Sequence, residues 1–432
     1  MGGFVAFKAL KIRNREKKMK RRDFLTKAGA FSSASAIGAL SAPMVLTGAR
    51  RALAASDDIP IGILYSLTGG LAVAEHTLHD AAMLAVEEIN AAGGVNGRKL
   101  NAIVEDPASD PATYAERARR LIIRDKCVSV FGGYTSASRQ AYLPVAEQRN
   151  ALFWYPTLYE GRECSRNVIY GGAVPNQQQD DVMPWAVEKF GGRFYLIGNN
   201  YVYPKEENNY CKKLLAELGG EVVHEEYVPF GHSDFSSAIN RIRSEKPDVV
   251  FATTVGDSDV AFARQFHQAG FDPEEMPVIS LTRSEAEVRA IGNDAAAGHF
   301  TSAPYFMGHD SPENQKFVSA YLNRYGEDQV THFVSEAAYF QVYQFKAALE
   351  TIDLDNITTD AIRDAAVGSS MMAPQGEVLI DENLHTHLWP KLGQWQENGQ
   401  AKVVLTASDR VAPVPFAAYD GQTCTGAGLI ES

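Results

Sequence analysis

Between residues 59 and 281, short apolar runs alternate with longer stretches whose apolar residues recur three and four apart. The runs "IPIGILY" (59–65), "KLNAIVED" (99–106), "VSVFGG" (128–133) and "ALFWYP" (151–156) are rich in β-branched or aromatic residues, which predicts strands. Between them, "AAMLAVEEINAAGG" (81–94) carries the helical period and stops on a glycine pair. Pro111 opens a second helix at its first turn, and "SASRQAYLPVAEQRN" (136–150) predicts a third in spite of Pro144. Alternation of this kind calls for a parallel sheet with helices on both faces.

The scheme then repeats. "RFYLIGNN" (193–200), "EVVHEEYVPF" (221–230), "VVFATTVG" (249–256) and "MPVISL" (276–281) read as strands, separated by helical stretches at 205–220, 233–248 and 257–270. The seam between the two halves falls near "YGGAVPNQQQ" (170–179). Beyond "APYF" (303–306) come two helical stretches, 312–326 and 335–350, and then strand-like pieces at 376–382 and 387–396. The expected fold is α/β: two doubly wound parallel-sheet lobes joined by a hinge that the chain crosses several times. The expected boundaries are 57–174 plus 303–355 for one lobe, 175–302 plus 356–415 for the other, and a C-terminal tail at 416–432.

Charge adds a further segment. The net charge is −12, which argues against a partner such as nucleic acid, yet residues 1–55 hold twelve Lys or Arg and two Asp or Glu. "KKMKRRDFLTK" (17–27), the mildly apolar stretch 28–48 and the small-residue site "ALAAS" (52–56) read as an export leader. Lys20-Arg21-Arg22-Asp23-Phe24-Leu25 resembles a twin-arginine signal, with Lys20 where Ser or Thr is usual. No other apolar run approaches the ~20 residues of a spanning helix, so the mature chain is expected not to span a membrane. Cys127, Cys164, Cys211 and Cys424 have no ligand-like spacing and are expected as individually buried thiols, though an oxidising compartment leaves three pairings open.

Ligands of open parallel sheets sit beyond the carboxyl ends of the strands, and those ends define the candidate site. "YTSAS" (134–138) offers Tyr134 and Ser136, the latter at a helix start, and "YPTLYEG" (155–161) offers Tyr155 and Thr157. From the second half, "NNYVYP" (199–204) offers Tyr201 and Tyr203, and "GDSD" (256–259) offers Asp257 as an acceptor for N–H groups. "SLTGG" (66–70) and "TRSEAE" (282–287) are further strand ends. Each residue alone reads equally well as a cap or as packing, and it is their joint position at the sheet ends of both halves that points to a ligand. No nucleophile elbow, P-loop, HExxH or dinucleotide fingerprint is present, so no catalytic residue, metal or cofactor is expected; His385 and His387 form an HxH pair without an evident third ligand.

These segments resemble the type I periplasmic solute-binding proteins of ABC importers, from about residue 59 to about 400. "AVEEINAAGGVNGRKL" (85–100) is similar to the hydrophobic amino acid and amide group. "GYTSASRQAYLPVAE" (133–147), "YPTLYEG", "YGGAVPNQQ" (170–178), "YVYPKEENN" (201–209) and "SLTRSEAEV" (280–288) are most similar to its short-chain amide and urea binders, which include a cytoplasmic amide sensor. The resemblance implies a type I periplasmic binding fold and no enzymatic activity. It also implies a ligand site at Tyr134, Ser136, Tyr155, Thr157 and Tyr203, with Tyr201 and Asp257 beside them. Leu158 stands where the sensor has a second proline. The implied protein is periplasmic, captures urea or a small neutral amide, and docks on membrane permease subunits. A branched-chain amino acid binder of the same fold and an amide-sensing regulator are the alternatives.

Overall fold

In the computed structural model, which describes residues 58–425 and 428–431, the first five strands are β1 (Ile59–Leu64), β2 (Leu100–Glu105), β3 (Ser129–Gly132), β4 (Phe153–Tyr155) and β5 (Val168–Tyr170). They pair in parallel in the order β2-β1-β3-β4-β5. Helices α1 (Ala72–Ala91), α2 (Pro111–Arg119) and α3 (Ser136–Gln148) connect them, with a π-turn, Arg120–Arg124, after α2. Asp110 caps α2 by accepting from the Thr113 amide, and Pro111 occupies its first turn. The export-leader reading of residues 1–55 lies outside the described residues.

The chain leaves this sheet through α4 (Pro175–Gln179) and α5 (Val182–Phe190). A second sheet follows, built from β6 (Arg193–Asn199), β7 (Glu221–Val228), β8 (Val249–Thr253), β9 (Val278–Ser280) and β10 (Phe300–Ala303). Its helices are α6 (Val202–Leu218), α7 (Ser236–Glu245), α8 (Asp257–Gln268), α9 (Glu285–Ile291) and α10 (Asn293–Ala296). The chain returns to the first lobe in α11 (Pro312–Tyr325) and α12 (Phe333–Leu349), the latter packed along α1. Then come α13 (Thr359–Ala366), a small antiparallel sheet of β11 (Ser370–Ala373), β12 (Gly376–Ile380) and β13 (Thr386–His387), and β14 (Lys391–Trp395) with β15 (Ala401–Thr406). β14 and β15 add antiparallel strands to the second sheet, whose order is β15-β14-β10-β9-β8-β6-β7. A hairpin of β16 (Gln422–Thr425) and β17 (Gly428–Glu431) completes the chain.

Both parallel sheets have the same winding. Strand order reverses between β1 and β3 in one and between β6 and β8 in the other, and each reversal opens a crevice at the strands' carboxyl ends. The glutamine-rich seam is a clasp. Gln178 Nε2 donates to the carbonyls of Leu281 and Ser302 (3.0 and 3.2 Å), and Gln177 Nε2 to those of Thr386 and Val411 (3.0 and 2.9 Å). Asn176 Nδ2 donates to Ala412 O (3.0 Å), so one short helix satisfies backbone groups from several passing segments.

Several elements depart from the pattern-based expectation. α1 starts at Ala72, nine residues before the predicted 81, because its first turns bury Glu75 and Thr77, and polar residues turned inward erase the apolar period. β5, the helices α4, α5, α9, α10 and α13, and β15 lie outside the predicted elements; a strand of three residues between loops, as in β5, carries too little pattern to register. The expectation of four separate thiols is corrected at two of them: Cys164 and Cys424 form a disulfide across 260 residues, with Cα atoms 5.6 Å apart, while Cys127 and Cys211 are free. Among the described residues no helix is long and apolar enough to cross a membrane.

Alkylation in denaturant without reductant should therefore label two cysteines, and four after reduction, read by mass spectrometry. Closing so long a loop is worth roughly 2–5 kcal/mol, so Cys424→Ser should lower the thermal midpoint by several degrees.

Burial also sets a pH dependence. It pushes the Glu75 and Glu287 carboxyls up to about 7 and those of Glu285 and Glu336 up to about 8. Between their ordinary value of 4.5 and these values the folded chain binds more protons than the unfolded chain, so their contribution to stability falls as pH rises. Burial lowers His299, His332 and His385 to about 3, which opposes this trend only below their ordinary 6.5. Lys391, lowered to about 8 by burial, acts only above 8. The thermal midpoint should thus decline between about pH 6.5 and 8, and Glu336→Gln should make that decline shallower; a midpoint flat across this window would show these carboxyls to be ionised throughout.

Candidate functional site

The crevice of the first lobe is built by the turn after β3. Gly132 and Gly133 have φ of +157° and +92°, and a Cβ on Gly132 would lie 2.2 Å from the Leu64 carbonyl oxygen, so the chain passes hard against the end of β1. It then delivers Tyr134, Thr135 and Ser136. Two residues of the neighbouring loop fix this turn: the Tyr155 hydroxyl donates to Tyr134 O (2.8 Å) and Thr157 Oγ1 donates to Gly133 O (3.2 Å). Thr135 caps α3 by accepting from the Ser138 amide at 3.1 Å.

Beneath Ser136 lies a buried cation. Arg139, 0% exposed, donates to Glu160 Oε1 (2.9 Å), Glu163 Oε1 (3.0 Å) and Ser136 Oγ (3.1 Å). The rings of Tyr155 and Tyr159 flank its guanidinium, with centroids 4.9 and 4.2 Å away. Burial pulls this guanidinium down, but Glu163 and Glu160 outweigh it and hold it well above its ordinary value. The Ser136 hydroxyl donates in turn to Glu160 Oε2.

The facing lobe is organised by Asn199, a fully buried residue ending β6. Its Oδ1 accepts from the Val255 amide (2.8 Å), and its Nδ2 donates to Pro229 O (3.0 Å) and Ser258 Oγ (3.1 Å), tying together the loops after three strands. Thr282 Oγ1 donates to Thr254 O at 2.6 Å.

Side chains from both lobes enclose a cavity of about 10 Å³. Tyr134, Thr135, Ser136, Thr157 and Leu158 line it from one side, and Tyr201, Tyr203, Val255 and Thr282 from the other. Five of the expected residues therefore meet in one place: Tyr134, Ser136, Thr157, Tyr201 and Tyr203. Tyr155 is placed behind the wall, holding Tyr134 O and packing on Arg139. Asp257 lies outside as well, exposed at the lip of an adjoining compartment of about 280 Å³. The lining includes no charged side chain. Burial keeps the phenols of Tyr134, Tyr201 and Tyr203 well above their ordinary value, hence protonated. The Tyr203 hydroxyl is buried with no hydrogen-bond partner among the described residues.

Val255 and Thr282 went unselected although their loops are strand ends; an aliphatic residue and a threonine carry no chemistry of their own in a sequence. The HxH pair splits. His385 stacks on Tyr170 (4.2 Å) and bonds Asn383 O and the Tyr159 hydroxyl, whereas His387 faces Asp381 at 3.3 Å. No cluster of metal-ligating side chains is found among the described residues.

Comparison with known proteins places this architecture. The periplasmic binding protein domain family matches residues 59–422. A leucine-, isoleucine-, valine-, threonine- and alanine-binding protein of Pseudomonas aeruginosa is 25% identical over 347 residues, covering 79% of this chain and 91% of that protein. Among solved structures, an ABC transporter solute-binding protein of R. palustris in complex with benzoate superposes with a TM-score of 0.75 at 20% identity, over 83% of this chain and 98% of its own. A branched-chain amino acid transporter binding protein of Streptococcus pneumoniae in complex with isoleucine gives 0.72 at 20%, over 82% and 100%. At these identities the two structures establish the fold.

Removing Arg139 would strand two buried carboxylates under the cavity. Arg139→Ala should cost about 3–5 kcal/mol in urea unfolding, and a loss below about 1 kcal/mol would show that Glu160 and Glu163 are not held as a charged pair.

Proposed function

This chain belongs to the periplasmic binding protein family, and we propose that within it the chain is the exported substrate-binding protein of an ABC importer, capturing urea or a short-chain aliphatic amide between its lobes. One observation carries the ligand class: how the hydroxyls of the cavity spend their protons. Thr157 donates to the Gly133 carbonyl, Thr282 to the Thr254 carbonyl and Ser136 to the Glu160 carboxylate. Each of these partners is acceptor-only, so the three hydroxyls face the cavity with lone pairs alone. The phenols of Tyr134, Tyr201 and Tyr203, by contrast, keep their protons, and that of Tyr203 is buried without a partner among the described residues. Hydroxyl acceptors set beside phenolic donors suit a ligand with several N–H groups and one carbonyl, as in urea or a primary amide. A ligand carboxylate would find hydroxyls already committed and no cationic side chain in the lining.

A second reading, a branched-chain or hydrophobic amino acid binder, is favoured by the names of the P. aeruginosa relative and the S. pneumoniae structure. An ammonium group would suit the same acceptors; the carboxylate is what the lining does not provide for. In either case a ligand bridging both lobes favours the closed state by its differential affinity, and the closed form is what the permease subunits would receive. The basic leader and small-residue cleavage site support export to the periplasm and distinguish this reading from that of a cytoplasmic sensor.

A thermal-shift panel of urea, formamide, acetamide, leucine and isoleucine decides between the two. A ligand at about 100 times its Kd should stabilise by roughly 2.7 kcal/mol. Urea or an amide should raise the midpoint, and Tyr203→Phe should weaken that ligand about five- to tenfold through one lost hydrogen bond. A shift by leucine and isoleucine alone would replace the amide reading with the amino acid one.

A further inference from the structure

The polar cavity has a larger neighbour. A compartment of about 280 Å³ shares Thr135 and Val255 with it, so the two lie side by side with these residues between them. Leu71 and Pro111 from the first lobe and Val255 and Phe230 from the second supply its apolar surface. Phe230 is 43% exposed and packs on Tyr201 at a centroid distance of 4.8 Å. Tyr201 in turn lies 6.1 Å from Tyr203. An aromatic row thus runs from the mouth of the cleft to the unpartnered hydroxyl at its end.

The two chambers differ in what they admit. About 10 Å³ among hydroxyls and phenols is space on the scale of a single water, enough for the polar head of a ligand once its neighbours adjust, and no more. The larger chamber is mainly apolar and carries one carboxylate, Asp257, at its exposed lip. That carboxylate disfavours a ligand whose far end is anionic.

We propose that the compartment bounded by Leu71, Pro111, Val255 and Phe230 is a tail subsite, and that the preferred ligand is a neutral carboxamide carrying an uncharged apolar tail, its head group in the tyrosine-lined cavity. The inference rests on the amide reading above and narrows it from the shortest amides to longer ones. Burying each added methylene against these walls strengthens binding by about two- to fourfold.

Calorimetric titration of the full mature chain with acetamide, butyramide and hexanamide tests it. Affinity should rise along the series, with hexanamide at least tenfold tighter than acetamide. Phe230→Ala should flatten the series, lowering hexanamide affinity more than acetamide affinity, and Phe230→Leu should restore much of the slope. Phe230 is exposed enough that neither change threatens folding. Binding that stays level or weakens with chain length overturns the tail subsite and leaves the amide reading standing. A slope unchanged in Phe230→Ala removes the tail from this compartment. No binding by any member of the series overturns the amide reading and this inference together.

Discussion

The buried guanidinium of Arg139 is the constraint on which the first half of the site depends. A cation without solvent must be paired and hydrogen-bonded, or its burial is prohibitive. Glu160 and Glu163 supply the charge, Ser136 takes the third N–H direction, and Tyr155 and Tyr159 cover the faces. All four of those loop residues come from one segment, 155–163, which is thereby drawn under the start of α3. The consequence reaches the ligand side. With Glu160 fixed by Arg139, the Ser136 proton has one acceptor within reach, and the polarity that the cavity shows to a ligand follows from a charge it does not contain.

The second lobe reaches a comparable rigidity without charge. From the end of β6, Asn199 satisfies its amide on the segments that follow β7 and β8, and a single uncharged side chain thereby ties together the loops from which Tyr201, Phe230 and Val255 emerge. The ion pair that does lie nearby, Arg283 with Asp259 (3.0 Å), is buried away from the cavity lining. Both lobes therefore keep their charges out of the small inner cavity, whose lining is hydroxyls, phenols and aliphatic side chains. The same switch-point geometry recurs in both sheets, so two crevices built alike face each other, and a ligand lying in one is within reach of the other.

Much of this was legible before any coordinates. Parallel sheets buried on both faces write their strands as apolar runs, and the residues just beyond those runs must lie at the crevice. Tyr134, Ser136, Thr157, Tyr201 and Tyr203 were found by position in that sense, and they line one cavity. Tyr155 satisfied the same rule, yet as the last residue of β4 its ring turns to Arg139, and nothing local in "SASRQ" and "YPTLYEG" announces an ion pair 21 residues apart. Glu75 and Thr77 hid the start of α1 for a related reason, since they are polar residues buried against specific partners. Cys164 and Cys424 were opaque because pairing across 260 residues leaves no trace in spacing. Tyr155, the start of α1 and the disulfide were hidden by polar or covalent pairings between distant residues, and β5 by its three-residue length; what the pattern does show is decided by hydrophobic period and strand ends.

The asymmetry between the lobes bears on how closure is controlled. Ser136 and Thr157 in the first lobe have their protons satisfied within their own lobe, so opening or closing the cleft changes little for them. Tyr203 in the second lobe is different: with the lobes together its hydroxyl is buried without a partner, whereas in an opened cleft water would satisfy it. On the binding role proposed above, a hydroxyl left unpaired in this way, at about 1–3 kcal/mol, would disfavour the closed form without ligand. A ligand whose carbonyl accepts from Tyr203 removes that cost in the closed state alone, and a ligand without an acceptor at that point does not. On that reading the orphan phenol would make closure conditional on the chemistry of the ligand, where shape by itself would make it conditional only on size.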